Sequence, residues 1–321
     1  MTPVSPGDRI AVTGATGFVG QALAEELAAV GYEVIGISER PEPPPSISGL
    51  LYDYVCADLT NGWPTVAPFS GLVHLAGLAA VKPSFERPQD YLNINSSMVT
   101  HIFEHAVRTS WPGRALIVSS GAVYGSTDQS NRQGFEETSP LAATSPYVVS
   151  KLLVEAQAEY YRRQGLDILV ARPFNHIGPG QGSGFIVPDL VAKVIEWQAG
   201  SELVVGNLDS SRDYTDVRDI ARAYRLLLEC QAPRSSTYNA CSGFTHSGWE
   251  VLEAVCTALG SVVPPTRIFS DRIIDPDVIV GNSARLQDET GWRPSISFRK
   301  SITDFVNSSD LPATLLDNSR Q

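Results

Sequence analysis

The chain is poor in cysteine. Its four (Cys56, Cys230, Cys241 and Cys256) form no Cys-x-x-Cys pair and have no histidine at metal-ligand spacing. They read as reduced, mostly buried thiols, so neither a disulfide framework nor a metal site is expected. Positive charge is also scarce: 24 Lys and Arg stand against 35 Asp and Glu, a net charge of −11. A surface that negative repels nucleic-acid phosphate and anionic lipid, so neither is expected as a partner. A few arginines in a cleft can still bind a small anion. The amino-terminal stretch has no basic region, and no apolar run is long enough for a signal peptide or a membrane span. The expectation is therefore a soluble, cytoplasmic protein. With 43% hydrophobic and only 18% charged residues over 321 positions, large-scale disorder is excluded. One large α/β unit with an appended lobe fits that size.

Short apolar runs alternate with helical patterns through the first two-thirds. Residues 10–13, 33–37, 72–75, 115–119 and 168–171 read as strands, and 19–30, 91–108 and 146–164 as helices. Strands separated by helices pair in parallel through right-handed crossovers, which predicts an α/β fold with a Rossmann-type doubly wound parallel sheet. Residues 41–48 carry four prolines and read as a surface loop. Beyond Arg172 the texture becomes irregular: 178–184 is a glycine-rich loop, 188–200 a helix, and 238–240 a return to the sheet.

Thr13-Gly14-Ala15-Thr16-Gly17-Phe18-Val19-Gly20 follows the first strand and opens the first helix. Gly14 permits a tight turn, Gly17 lets backbone approach a pyrophosphate at the positive helix end, and Gly20 lets helix and strand pack closely. The second strand ends Ser38-Glu39-Arg40. A small polar tip with an arginine nearby suits the 2′-phosphate of NADP, whereas Glu39 can point either way; NADP(H) is favoured over NAD(H). Asp58 is placed either to reach the adenine amino group or to cap a helix. The expected division is a dinucleotide-binding Rossmann domain (1–174 plus about 215–242), a smaller α/β substrate-binding lobe (about 175–214 plus 243–309) and a polar tail (310–321).

Tyr147 and Lys151 lie one helical turn apart. An ammonium beside a phenol favours phenolate, which makes Tyr147 a usable acid or base, and Lys151 can also hold a nicotinamide ribose. Ser120 ends a strand at the carboxyl edge of the sheet and can hydrogen-bond a substrate carbonyl or alkoxide.

These residues together resemble the extended short-chain dehydrogenase/reductase family, in its nucleotide-sugar epimerase/dehydratase/reductase branch. The similar motifs are the Thr13–Gly20 loop, Asp58-Leu59, His74-Leu75-Ala76-Gly77, Ser119-Ser120-Gly121-Ala122-Val123-Tyr124-Gly125, Tyr147…Lys151 and Gly291-Trp292-Arg293-Pro294. The resemblance implies a catalytic Ser120, Tyr147 and Lys151, with Ser119 the less favoured serine. It implies cofactor contacts from Gly14, Thr16, Gly17, Phe18, Val19, Gly20, Ser38, Arg40, Asp58, Leu59, Leu75, Ala76, Gly77 and Pro173, as well as Tyr147 and Lys151. His74, on an apolar strand, reads as structural.

Family dehydratases carry an acid directly after the serine or threonine; here Gly121 and Ala122 cannot transfer protons. The run Ala171–Gln181, together with 185–189 and 206–219, resembles GDP-4-keto-6-deoxy-D-mannose reductases. That resemblance implies a GDP-linked substrate touched by Asn175, Val187, Lys193, Arg212 and Arg272, although Ile273 stands where the family has proline. The surface alternative stays open for Arg212, Arg272 and Lys193. The expected activity is NAD(P)H-dependent reduction of a 4-keto-6-deoxyhexose, with a nucleotide-sugar 4-epimerase as the alternative and a dehydratase or non-catalytic dinucleotide sensor behind it. A homodimer built on helices 91–108 and 146–164 is implied by the same resemblance.

Overall fold

The computed structural model describes residues 3–125, 134–269 and 278–308. Seven strands form the main sheet: β1 (Arg9–Thr13), β2 (Glu33–Ser38), β3 (Leu51–Cys56), β4 (Gly71–His74), β5 (Arg114–Val118), β6 (Asp167–Pro173) and β7 (Thr237–Ala240). They run β7-β6-β5-β4-β1-β2-β3, and every neighbouring pair is parallel. The order reverses between β1 and β4, which is where an open α/β sheet leaves a crevice at its carboxyl edge.

Helices cover both faces because the central strands are apolar on both sides. On one face, helices Phe18–Val30 and Val217–Glu229 bury Leu23, Leu27, Tyr224 and Leu227 against Val12, Val73 and Leu116. On the other, helices Pro88–Arg108 and Pro146–Arg163 bury Met98, Phe103, Val154 and Tyr161 against Ala11, Ile35 and Ile117. Local signals set the ends. Gly31, at φ 96°, stops the first helix in the left-handed region that favours glycine. Ser145 caps the helix of Tyr147 by accepting from Val148 N at 3.2 Å, with Pro146 at the first position.

A second sheet gathers Asn175–Ile177, Ser211–Asp216, Thr245–Ser247 and Val278–Ile279. Helices Ile186–Glu196, Gly248–Leu259 and Phe298–Asn307 share one apolar core with it. Leu286 and Trp292, from the chain beyond residue 243, are buried instead with the β1 side of the main sheet, and Trp292 Nε1 donates to the Asp219 carbonyl at 2.8 Å.

Two local expectations need correction. The segment 41–48 is not wholly loop: Pro45–Ser48 makes one helical turn, with proline at its start and Ile47 fully buried. The helix expected over 188–200 runs instead over Ile186–Glu196.

Candidate active site

β5 ends at Val118, and Ser119 and Ser120 continue past the carboxyl edge of the sheet. The Ser120 hydroxyl accepts from Ala122 N at 3.1 Å, capping a short turn over Gly121–Tyr124, and it faces the Tyr147 phenol, on which it acts to lower the pKa. Lys151 Nζ donates to the Val118 carbonyl at 2.9 Å and stands 5.9 Å from the Tyr147 ring centroid. Tyr91 packs edge-on against Tyr147. Serine, tyrosine and lysine therefore converge at one strand end.

The electrostatics differ from the expected lowering of the tyrosine. Burial pushes the Tyr147 phenol up, and the Ser120 hydrogen bond only partly offsets it. Desolvation pushes Lys151 down to about 8, with the Glu155 carboxylate opposing that shift. Withdrawal from water dominates at both groups, so Tyr147 holds its proton across neutral pH.

The glycine loop forms a cradle whose walls are already in contact. A Cβ on Gly14 would sit 2.8 Å from Ala76 N, and one on Gly20 would sit 2.2 Å from the Gly14 carbonyl oxygen. Gly17 caps helix Phe18–Val30 with no side-chain hydrogen bond, and no acid lies in the first turn. The helix start thus offers open N–H groups and a positive dipole end, which fits a pyrophosphate. Thr13 Oγ1 accepts from Leu75 N at 3.2 Å and Ala76 N at 3.3 Å, stapling the His74–Gly77 stretch beside the loop. His74 shares a 2.7 Å hydrogen bond with Thr13, and burial takes its pKa down to about 3. It is a neutral structural group.

A model of the NAD dependent epimerase/dehydratase family matches residues 10–241. The chain belongs to that family. It is 33% identical to GDP-6-deoxy-D-mannose reductase of Pseudomonas aeruginosa, over 92% of this chain and 94% of that one. The structure of RMD from Pseudomonas aeruginosa complexed with NADPH covers 93% of this chain and 97% of its own, at 31% identity and a TM-score of 0.77. A Thermus thermophilus UDP-glucose 4-epimerase in complex with NAD covers 93% and 98%, at 26% identity and a TM-score of 0.79. Family members are NAD(P)-dependent enzymes of nucleotide sugars, and these neighbours hold either NADPH or NAD. Among the described residues of this family member, no helix is long and apolar enough to cross a membrane.

The remaining residues singled out from sequence divide into three groups. At the tip of β2, Ser38 shares a 2.7 Å hydrogen bond with Thr16, and Tyr54 OH donates to the Arg40 carbonyl at 2.7 Å. The Arg40 guanidinium makes no hydrogen bond or ion pair among the described residues. Asp58 is engaged as a cap: it accepts from Thr60 N and Oγ1 and from Asn61 Nδ2, which holds its carboxyl below the usual range. Leu59 is buried in the core behind it, and Pro173 is buried at the end of β6.

In the second sheet, Asn175 is exposed and pairs in register with Tyr214; Arg212 lies two residues before Tyr214 on the same face, with Nη1 donating to the Ser211 carbonyl. Two members of the expected substrate set sit elsewhere. Val187 is fully buried in the lobe core, turned there by the amphipathic helix that carries it. Lys193 donates to the Val204 carbonyl at 2.8 Å. Arg272 lies outside the described residues. A cavity of about 1090 Å³ opens in the lobe between Tyr214, Phe244, His246, Val278 and Phe298; Ser120, Tyr147 and Lys151 do not line it.

The position directly after Ser120 is crowded. A Cβ on Gly121 would lie 2.7 Å from the Phe174 ring, itself 4% exposed. Sequence reasoning missed the polar groups behind the serines. Ser119 hydrogen-bonds Glu155, and Arg172 grips the same carboxylate through Nε and Nη2 at 2.9 and 2.7 Å. One signal was present: Glu155 follows Lys151 by one helical turn.

Proposed function

We propose that the chain is an NAD(P)H-dependent reductase of the C4 keto group of a nucleotide-linked 4-keto-6-deoxyhexose, most naturally a GDP-sugar, with Tyr147 as proton donor. The observation that carries the reading is a buried, protonated Tyr147 facing Ser120 at a strand end where Phe174 crowds the position directly after that serine. Its resemblance to the Pseudomonas reductase over nearly the whole chain supports the same reading.

The glycine cradle, Thr16, Ser38 and Arg40 would hold the cofactor, with Lys151 on its nicotinamide ribose. When bound, the cofactor supplies a hydride for C4. Ser120 holds the ketone oxygen, and Tyr147 gives its proton to the alkoxide as that oxygen gains charge. The Lys151 ammonium stabilises the phenolate left behind. Asn175, Arg212 and Arg272 are the candidate diphosphate and sugar ligands, arginine offering a fork that matches two phosphate oxygens. Val187 and Lys193 would act only through the wall they build. The open Arg40 beside Ser38 supports NADP(H).

The test is turnover of GDP-, dTDP- and UDP-linked 4-keto-6-deoxyhexoses with NADPH and NADH in parallel. NADPH consumption with the GDP-sugar is expected. Tightly retained NAD, together with interconversion of intact UDP-hexoses, would establish the epimerase instead. A homodimer is proposed too: helices Pro88–Arg108 and Pro146–Arg163 pack side by side and leave Val149, Leu153 and Tyr160 exposed. Light scattering after gel filtration should give twice the 34.6 kDa chain mass.

A further inference from the structure

Two side chains one helical turn apart grip the end of β5. Lys151 holds the Val118 carbonyl, and Glu155 accepts from the Ser119 hydroxyl; Ser120 is the next residue. The Glu155 side chain is 13% exposed, and the Arg172 side chain that meets it with two parallel hydrogen bonds is 6% exposed. The third Arg172 nitrogen, Nη1, donates to the Tyr124 phenol at 2.8 Å and to the Glu137 carbonyl at 3.2 Å. Tyr124 in turn donates to Asn239 Oδ1 at 2.7 Å. A carboxylate on the helix of Tyr147 is therefore braced from β6 and, through Tyr124, from β7. Such burial of charge is a poor way to gain stability, since well-packed apolar residues do as well or better. Its place beside the reacting groups calls for another explanation.

We propose that Glu155 is a positioning residue for the reacting set: anchored by Arg172, its carboxylate fixes Ser119, and with it the peptide that presents Ser120, and supplies the negative charge that keeps Lys151 an ammonium. The inference rests on reading Ser120, Tyr147 and Lys151 as that set. Desolvation pulls Lys151 down, and Glu155 is the carboxylate that opposes it. Among the described residues, the other titratable groups facing Lys151 are Tyr147 on its own helix, whose phenol stays protonated, and His74 of β4, which burial keeps neutral. Neither supplies negative charge. Arg172 is neutralised by Glu155 itself, so loss of the carboxylate exposes Lys151 to a second buried cation.

The chain has four lysines (Lys82, Lys151, Lys193 and Lys300), so a protein labelled with ¹³Cε-lysine gives four signals, and Lys151→Arg identifies the one that matters. In Glu155→Gln the Lys151 midpoint should fall by about one pH unit or more, the size of effect an adjacent opposite charge exerts. The alkaline limb of kcat/KM should move with it, and kcat should fall more than KM rises. Because Glu155→Gln leaves Arg172 buried and unpaired, the pair Glu155→Gln with Arg172→Met removes both charges and keeps the fold testable; a downward shift smaller than that of Glu155→Gln alone is expected, since the repelling guanidinium goes with the carboxylate. Ser119→Ala leaves the ion pair intact and should lower kcat without moving the Lys151 midpoint. A folded double variant with a wild-type Lys151 midpoint would overturn the electrostatic role, and wild-type kcat in Ser119→Ala would overturn the positioning of Ser120. If no 4-keto sugar nucleotide is reduced by the wild type, the proposed function fails while the lysine titration still decides the role of Glu155.

Discussion

Gly121→Ala is the sharpest test of the geometry beneath the reacting serine. The new methyl would lie 2.7, 2.8 and 2.9 Å from Cδ2, Cε2 and Cγ of Phe174, well inside van der Waals contact. The ring is confined, because Gly281 backs it at Cε2 and Cζ, where a Cβ would lie 2.6 and 2.7 Å away, and its face stacks near Tyr124. Overpacking of this kind costs about 1–3 kcal/mol. At about 2–4 °C per kcal/mol for a protein of this class, the melting temperature should drop by roughly 2–12 °C. Urea denaturation followed by circular dichroism measures the cost at equilibrium. Adding Phe174→Leu should recover part of the loss, so the two substitutions should couple by about 0.5 kcal/mol or more in a double-mutant cycle. Unchanged midpoints in Gly121→Ala, or strictly additive effects, would refute the account. The same collision makes Gly121→Glu a less stable protein and not a dehydratase.

Four further outcomes follow. Tyr147→Phe should lower kcat by on the order of 10²–10⁴ while fluorescence titration with NADPH gives a near wild-type Kd; full activity in that variant would remove Tyr147 as proton donor. Lys151 is charged below its pKa of about 8 and neutral above it, so kcat/KM should fall as pH rises through that value, and a flat profile well into the alkaline range would count against the ammonium. Arg40→Ala should weaken NADPH binding and leave NADH unchanged; equal effects on both would show that Arg40 does not face a 2′-phosphate. Among the described residues, the buried Tyr224 hydroxyl has no hydrogen-bond partner. Removing it in Tyr224→Phe relieves an unsatisfied group, so stability in urea should stay level or rise, and a loss above about 1 kcal/mol would mean that the hydroxyl is bonded after all.

Most of the main sheet was legible because parallel strands buried on both faces announce themselves as short apolar runs, and the glycine loop and the Tyr147–Lys151 spacing are local signals. What escaped depends on distant partners. Glu155 looked like any helical surface carboxylate until Arg172, from the next strand, closed on it. Val187 and Lys193 were placed by family likeness, yet the helix Ile186–Glu196 turns Val187 into the lobe core and sends Lys193 to a backbone carbonyl. The tyrosine pKa went the other way from the sequence argument because spacing reveals a neighbouring charge but not the loss of water around both groups. Ile47 had no visible reason to be buried within a proline-rich stretch, since only the fold brings its one-turn helix back onto Phe18–Val30.

The place of β7 bears on how the protein is made. Its partner β6 ends at Pro173, but Thr237–Ala240 arrives only after the second sheet has begun and helix Val217–Glu229 has been laid against Phe18–Val30. A growing chain on the ribosome therefore holds six strands with the β6 edge unpaired and one face of β5 and β6 uncovered until its last third emerges. Nascent chains halted before Thr237 should be the species that chaperones capture and that aggregates claim, whereas the same sequence completed through β7 closes that edge.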